Sequence, residues 1–232
     1  MLTNDEARTK RRNIVKQCIL SLAILLGFSL PAQAQVTEIR GGVHQHDIEI
    51  FGLGGKKGKE TSASLNAEII CGKPEFLDWA LSPSIYAGGS VNLEGNTSYG
   101  GGGLMWRQGF SDRFYGDFAF GLVVHDGTLE VDLPSYFDDP VIAAALEGNG
   151  TLTPAQLDRI NQENIPYLAR LNNEIEFGSR ILFRQGFALG YRVNDDWAGE
   201  IYFEHLSHGK ILSSRSNEGL DSLGIRISRR FE

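Results

Sequence analysis

Cysteine is nearly missing from this chain of 232 residues: only Cys18 and Cys71 occur. A small disulfide-stapled domain is therefore excluded. An excess of basic charge is also missing. Lys and Arg number 22 against 29 Asp and Glu, for a net charge of −7, so nucleic acid is not an expected partner. Past the first 34 residues no apolar run reaches the roughly 18 residues that a membrane helix needs. No metal-ligand spacing is present either. "HQHD" places His44 and His46 on one strand face without a third ligand. The acids Asp132, Asp138 and Asp139 follow no calcium-loop pattern. No metal and no cofactor are expected.

What the chain does have begins with its first residues. "RTKRRNIVK" is basic, "CILSLAILLGFSL" is an apolar run of 13 residues, and "PAQAQ" offers a small-x-small cleavage site at Ala32 to Ala34. That is the layout of a secretory signal peptide, expected at residues 1–34. Cys18 opens the apolar run rather than closing it, which argues against a lipoprotein anchor. The remaining residues, 35–232, read as one domain of 198 residues with a net charge of −10 and Cys71 as its one cysteine. Cys71 is expected to act as a small buried hydrophobe.

Alternation with period two then recurs eight times, at about 39–51, 60–72, 83–93, 97–110, 113–125, 175–192, 196–207 and 220–231, as in strands with one apolar and one polar face. Phe177, Ile181, Phe183, Phe187, Leu189 and Tyr191 share a face opposite Arg180, Arg184 and Arg192. Trp197, Ile201 and Phe203 oppose Glu200, Tyr202 and Glu204. A soluble barrel or sandwich would bury the apolar faces, whereas a membrane barrel turns them to lipid. Glu200 and Glu204 set beside Arg226 and Arg230 suggest a salt-bridged lumen. The even strand count, the strand lengths and the leader favour the membrane. The expected fold is all-β: an eight-stranded antiparallel transmembrane β-barrel of the bacterial outer membrane.

Loop lengths give the orientation. Segments 52–59, 94–96, 126–174 and 208–219 lie outside, and 73–82, 111–112 and 193–195 lie in the periplasm. The extracellular loop 126–174 is long and partly helical. Thr153, Pro154 and Gln156 form a capping-box start, and Pro140 opens a shorter helix. A lid or docking element and a surface decoration are both compatible with it. In the periplasmic segment "GKPEFLDWAL", Phe76, Trp79 and Leu81 predict an interfacial turn.

His205 and Ser207 interrupt one apolar face, and Asp221 begins another on the next strand. Residues two apart on a strand point the same way, and the loop 208–219 can fold Asp221 back beside His205. An imidazole takes the serine proton and a carboxylate holds the imidazole, as nucleophilic acyl chemistry requires. Oxyanion donors are sought in the backbone around His208, Gly209 and Lys210 and in the Asn217 side chain. A polar rim where the apolar band stops would give the same pattern without chemistry.

"EHLSHGKILSSRSNEGLDSLGIRISRRF" resembles the C-terminal signature of the lipid A 3-O-deacylases, with His-x-Ser on the seventh strand, then Asn-x-Gly and an acid before the eighth. "SPSIYAGGSVNLEGNTSYGGGGLMWRQGFSDRFYGDFAFGLVVHDG" is similar to that family's middle strands. The resemblance spans about 43–127 and 175–231 and leaves the long loop unaccounted for. It implies a serine esterase that removes the ester-linked 3-hydroxyacyl chain at position 3 of lipid A. Ser207 would be the nucleophile, His205 the base, Asp221 the orienting acid and Asn217 an oxyanion donor. Lipid A or lipopolysaccharide of the outer leaflet would be the partner, with a possible homodimer. Three departures stand out: Asp221 replaces the family's Glu across a loop two residues longer, His208 stands where Asn is frequent, and the chain ends Phe231-Glu232. The competing reading is a non-catalytic porin-like or adhesin-like barrel whose long loop binds a partner. Acyl transfer to another acceptor is a related enzymatic alternative.

Overall fold

The computed structural model describes residues 35–49 and 58–231, so the expected signal peptide and most of loop 52–59 lie outside the described residues. The chain forms strands β1 (Val36–His46), β2 (Ala63–Cys71), β3 (Ser84–Asn92), β4 (Tyr99–Gly109), β5 (Phe114–His125), β6 (Ile181–Arg192), β7 (Trp197–Ser207) and β8 (Leu220–Arg230), with helices α1 (Pro140–Leu146) and α2 (Pro154–Asn173) between β5 and β6. Each strand pairs antiparallel with the next, and β1 closes on β8 with Val43 opposite Ile225.

The faces are inverted relative to a soluble protein. Ile225 is 62 % exposed on the outer wall, while Glu204 is 0 % exposed in the lumen. Phe118, Phe120, Leu122, Phe187, Leu189, Ile201 and Ile227 also lie outside. Such a wall is stable only against lipid, and closure leaves no strand edge with unpaired backbone groups. The protein therefore spans a membrane with its strands.

Inside, the charges cross-link the barrel. Arg40 donates to Glu38 at 2.6 Å and to Asp117 at 2.7 Å, and Arg107 donates to the same two acids at 2.8 Å each. Glu68 on β2 reaches across to Arg184 on β6 and Arg226 on β8. Arg184 also binds Glu204 at 2.7 Å, and Arg226 also binds Glu200. The expected pairing of acids on β7 with bases on β8 is thus realised by Glu200 and Arg226. Arg230 instead lies past the start of β7, since Trp197 already pairs with Arg229. It donates to the Asp195 carbonyl at the periplasmic rim.

Two strand ends differ from the sequence expectation for local reasons. β1 stops at His46 because Asp47 turns the chain with φ +51 and caps the N–H groups of Lys59 and Glu60 at 2.6 and 3.0 Å. β6 begins at Ile181 rather than 175. Gly178, at φ +66, breaks the extended run. Ile175 and Phe177 then turn inward to plug the extracellular end with Tyr99, Val123, Leu182, Leu206 and Leu220. The 126–174 loop does form two helices. Asp139 caps α1, and Thr153 with Gln156 makes the capping box of α2. In the periplasm the 3-10 turn Glu75–Ala80 leaves Phe76 and Trp79 exposed. Trp106 on the outer wall ties that turn down through the Ala80 carbonyl at 2.8 Å.

Candidate active site

The site is built by the last hairpin. Along β7, Glu200, Tyr202, Glu204 and Leu206 are buried on the inner face. The pleat therefore sends Phe203, His205 and Ser207 outward. Along β8, the outward row is Asp221, Leu223, Ile225 and Ile227, and His205 is the cross-strand partner of Asp221. The alternation that faces apolar side chains to lipid thus faces three polar groups to the same side, at the extracellular end of both strands.

His205 and Asp221 meet directly. Nδ1 of His205 lies 2.5 Å from Oδ1 of Asp221, with the carboxylate wholly buried and the ring slightly exposed. A carboxylate can only accept, so the imidazole proton sits on Nδ1 and Nε2 is left as the basic nitrogen. Ser207 lies two residues along the same face and is 9 % exposed. Its hydroxyl makes no hydrogen bond to His205 among the described residues. In structures without substrate this bond is commonly long or open.

The oxyanion candidates separate. The N–H of His208 donates to Asn217 Oδ1 at 3.2 Å, so that backbone donor is occupied. The Nδ2 end of Asn217 has no acceptor among the described residues, and neither does the Gly209 N–H, in a turn with φ +59. The His208 ring is fully buried, with Nε2 3.1 Å from the Ser216 carbonyl and Nδ1 accepting the Lys210 N–H at 3.1 Å.

Two features were not singled out from the sequence. Gln185 on β6 is the cross-strand partner of His205, so Gln185, His205 and Asp221 form one row across β6, β7 and β8. Its neighbours on the outer face are Phe183, Phe187 and Phe120. Its carboxamide has no hydrogen bond among the described residues, which is unfavourable against lipid. A lone amide in the row Ile181, Phe183, Gln185, Phe187 was the available signal. The second feature is Lys59, whose Nζ lies 2.6 Å from both carboxylate oxygens of Glu218 and 3.2 Å from the Glu174 carbonyl. Glu218 in turn accepts the Glu176 N–H at 2.8 Å. No spacing rule connects these residues.

The other polar motifs have structural roles here. His44 faces the lumen and binds Tyr202 at 2.7 Å and Ser90 at 3.1 Å, with His46 stacked on it. His125 closes β5, with Nε2 on the Ser179 carbonyl at 2.7 Å.

Residues 166–230 match the family model described as lipid A 3-O-deacylase (PagL). That segment holds β6, β7, β8 and every site residue named above, while the resemblance read at 43–127 lies outside it. No curated protein matches the chain. Among solved structures, the chain is similar to the outer membrane enzyme PagL at 8 % identity and TM-score 0.47, covering 84 % of this chain and 99 % of that one. It is similar to Neisserial surface protein A at 9 % identity and TM-score 0.44, covering 85 % and 99 %. A de novo designed transmembrane β-barrel aligns at 10 % identity and TM-score 0.41, covering 85 % and 99 %.

Proposed function

We propose, from the match of residues 166–230 to the family model described as lipid A 3-O-deacylase (PagL), that this chain is a serine esterase working on the lipid-facing wall of an outer-membrane barrel and acting on lipid A. The observation that carries the reading is the 2.5 Å contact between His205 Nδ1 and Asp221 Oδ1 beside Ser207, on a face otherwise given to lipid. Polar groups there are unfavourable unless a polar ligand comes to them. A lipid arriving sideways in the outer leaflet brings one. Its ester would meet Ser207 at the strand end, and its acyl chain would lie against Phe183, Phe203 and Leu223.

In this reading Ser207 Oγ attacks the ester carbonyl as His205 Nε2 takes its proton. The Asn217 NH2 and the Gly209 N–H are the donors for the oxyanion. The tetrahedral intermediate collapses, and His205 returns the proton to the sugar oxygen at position 3, which leaves. Water, deprotonated by His205, then attacks the acyl-serine and releases a 3-hydroxy fatty acid. Gln185 offers a donor and an acceptor to the polar atoms of the bound chain. Asp221 holds the ring and stabilises its cation. No cofactor enters these steps.

The test is mass spectrometry of lipid A from outer membranes carrying the protein or its variants. Ser207→Ala should leave a folded barrel and abolish release of the 3-linked chain. Asp221→Asn should lower turnover by about a thousandfold or more, since the ring loses both its orienting acceptor and its counter-charge. Deacylation persisting in Ser207→Ala would show the reading to be wrong. A conducting porin is disfavoured because the lumen is closed at its middle: the gap among Arg40, Glu68, Tyr86, Arg184 and Arg226 is about 10 Å³, room for about one water, and the cavity of about 500 Å³ lined by Glu38, Arg107 and Arg192 opens only toward one end.

A further inference from the structure

We propose that His208 is the positioning residue for the oxyanion donor Asn217, a role that rests on the esterase reading above and deepens it. The loop between β7 and β8 runs for twelve residues, 208–219, from the nucleophile to the orienting acid. Asn217 sits near its far end. A flexible loop would spread that side chain over many positions, and an oxyanion donor acts only when fixed beforehand.

The His208 ring closes this loop on itself. Its Nδ1 accepts the Lys210 N–H at 3.1 Å, which puts the ring proton on Nε2, and Nε2 donates to the Ser216 carbonyl at 3.1 Å. One buried ring therefore binds the chain two residues and eight residues downstream of itself. Closing the loop brings Asn217 back to the His208 backbone, whose N–H donates to Asn217 Oδ1 at 3.2 Å. An N–H can pair only with the oxygen end of an amide. The NH2 end is thereby turned away from His208 and left with no acceptor among the described residues.

The neighbouring chain is shaped to leave room for the staple. Gly178 passes over it at φ +66. A Cβ there would fall 2.1 Å from the Ser216 carbonyl oxygen and 3.1 Å from His208 Nε2. Glu218, next to Asn217, is held on the same segment by N–H donation to the Glu176 carbonyl at 3.1 Å. The return arm of the long extracellular loop thus buttresses the stapled hairpin from outside.

The experiment is a double-mutant cycle on the full-length protein in lipid vesicles containing lipid A, with kcat and KM measured and barrel folding followed by heat-dependent gel mobility. His208→Phe keeps an aromatic ring in place and removes both ring hydrogen bonds. It should lower kcat by about tenfold to a hundredfold with KM changed by less than about twofold. In an Asn217→Ala background the same change should cause no further loss of kcat, because the residue acts through Asn217. His208→Gln, whose amide can still donate to Ser216, should recover most of the rate. Multiplying losses in the double variant, or a His208→Gln as slow as His208→Phe, would overturn the proposal. Should His208→Phe fail to fold, Gly178→Ala, which presses on the same staple from outside, takes its place with the same expectation. Activity persisting in Ser207→Ala would sink the esterase reading itself. An inert Ser207→Ala beside a fully active His208→Phe would sink only the staple.

Discussion

At the residue scale, the informative positions are those where a polar group breaks an apolar row. His205, Ser207 and Asp221 were legible in the sequence because period-two alternation makes an exception visible. Gln185 was equally exceptional but stood alone among aromatics, and only the strand register places it opposite His205. Its amide, unpaired among the described residues, should trade stability for function on the outer wall. Gln185→Leu removes a polar group from lipid contact and should stabilise the barrel by about 1 kcal/mol. If the carboxamide meets the substrate, kcat/KM should fall about tenfold in the same variant. A more stable variant with unchanged kcat/KM would remove Gln185 from the site.

At the scale of elements, the strands were legible and the loop contacts were not. Alternation fixes which residues face lipid, and Pro140, Thr153, Pro154 and Gln156 announced both helices, with the Asp139 cap of the first seen only in the structure. Nothing periodic links Lys59 to Glu218, 159 residues later, or Gly178 to Ser216. These contacts nonetheless join three extracellular segments: the end of the first loop, the return arm 174–178 and the site hairpin. Lys59 is the common post, with its side chain 3 % exposed against 17 % for Glu218. Removing one partner of a buried pair leaves the other charge poorly compensated. Lys59→Met should therefore loosen 174–178 and 215–219 together, read as a joint rise in amide hydrogen exchange with the strands still protected. A rise confined to one of the two segments would mean that Lys59 does not couple them. The helices α1 and α2 pack on the short turn at Ser135–Asp138 rather than on a strand. The long loop reaches the site hairpin near its base, through Glu130, which lies 3.6 Å from Arg215, and through Glu176 and Gly178 just past its end.

At the scale of the whole molecule, one sheet carries two unrelated tasks on its two faces. Along β7 the inward residues Glu200 and Glu204 hold the barrel together, and the outward His205 and Ser207 belong to the proposed site. The sequence revealed the two faces but not the cross-lumen pairing, because Glu68, Arg184 and Arg226 come from three strands far apart in the chain. Glu68 is the hub: without it Arg184 and Arg226, both buried, each keep one carboxylate partner among the described residues. Glu68→Leu should therefore lower the unfolding free energy by about 3–5 kcal/mol, seen as a lower midpoint in urea or a lower temperature of gel-mobility change. Because the network and the site lie on opposite faces, kcat measured well below that transition should stay within about twofold of the parent. A loss of kcat as large as that of His208→Phe would mean that the lumen network, and not the hairpin alone, sets the position of the nucleophile.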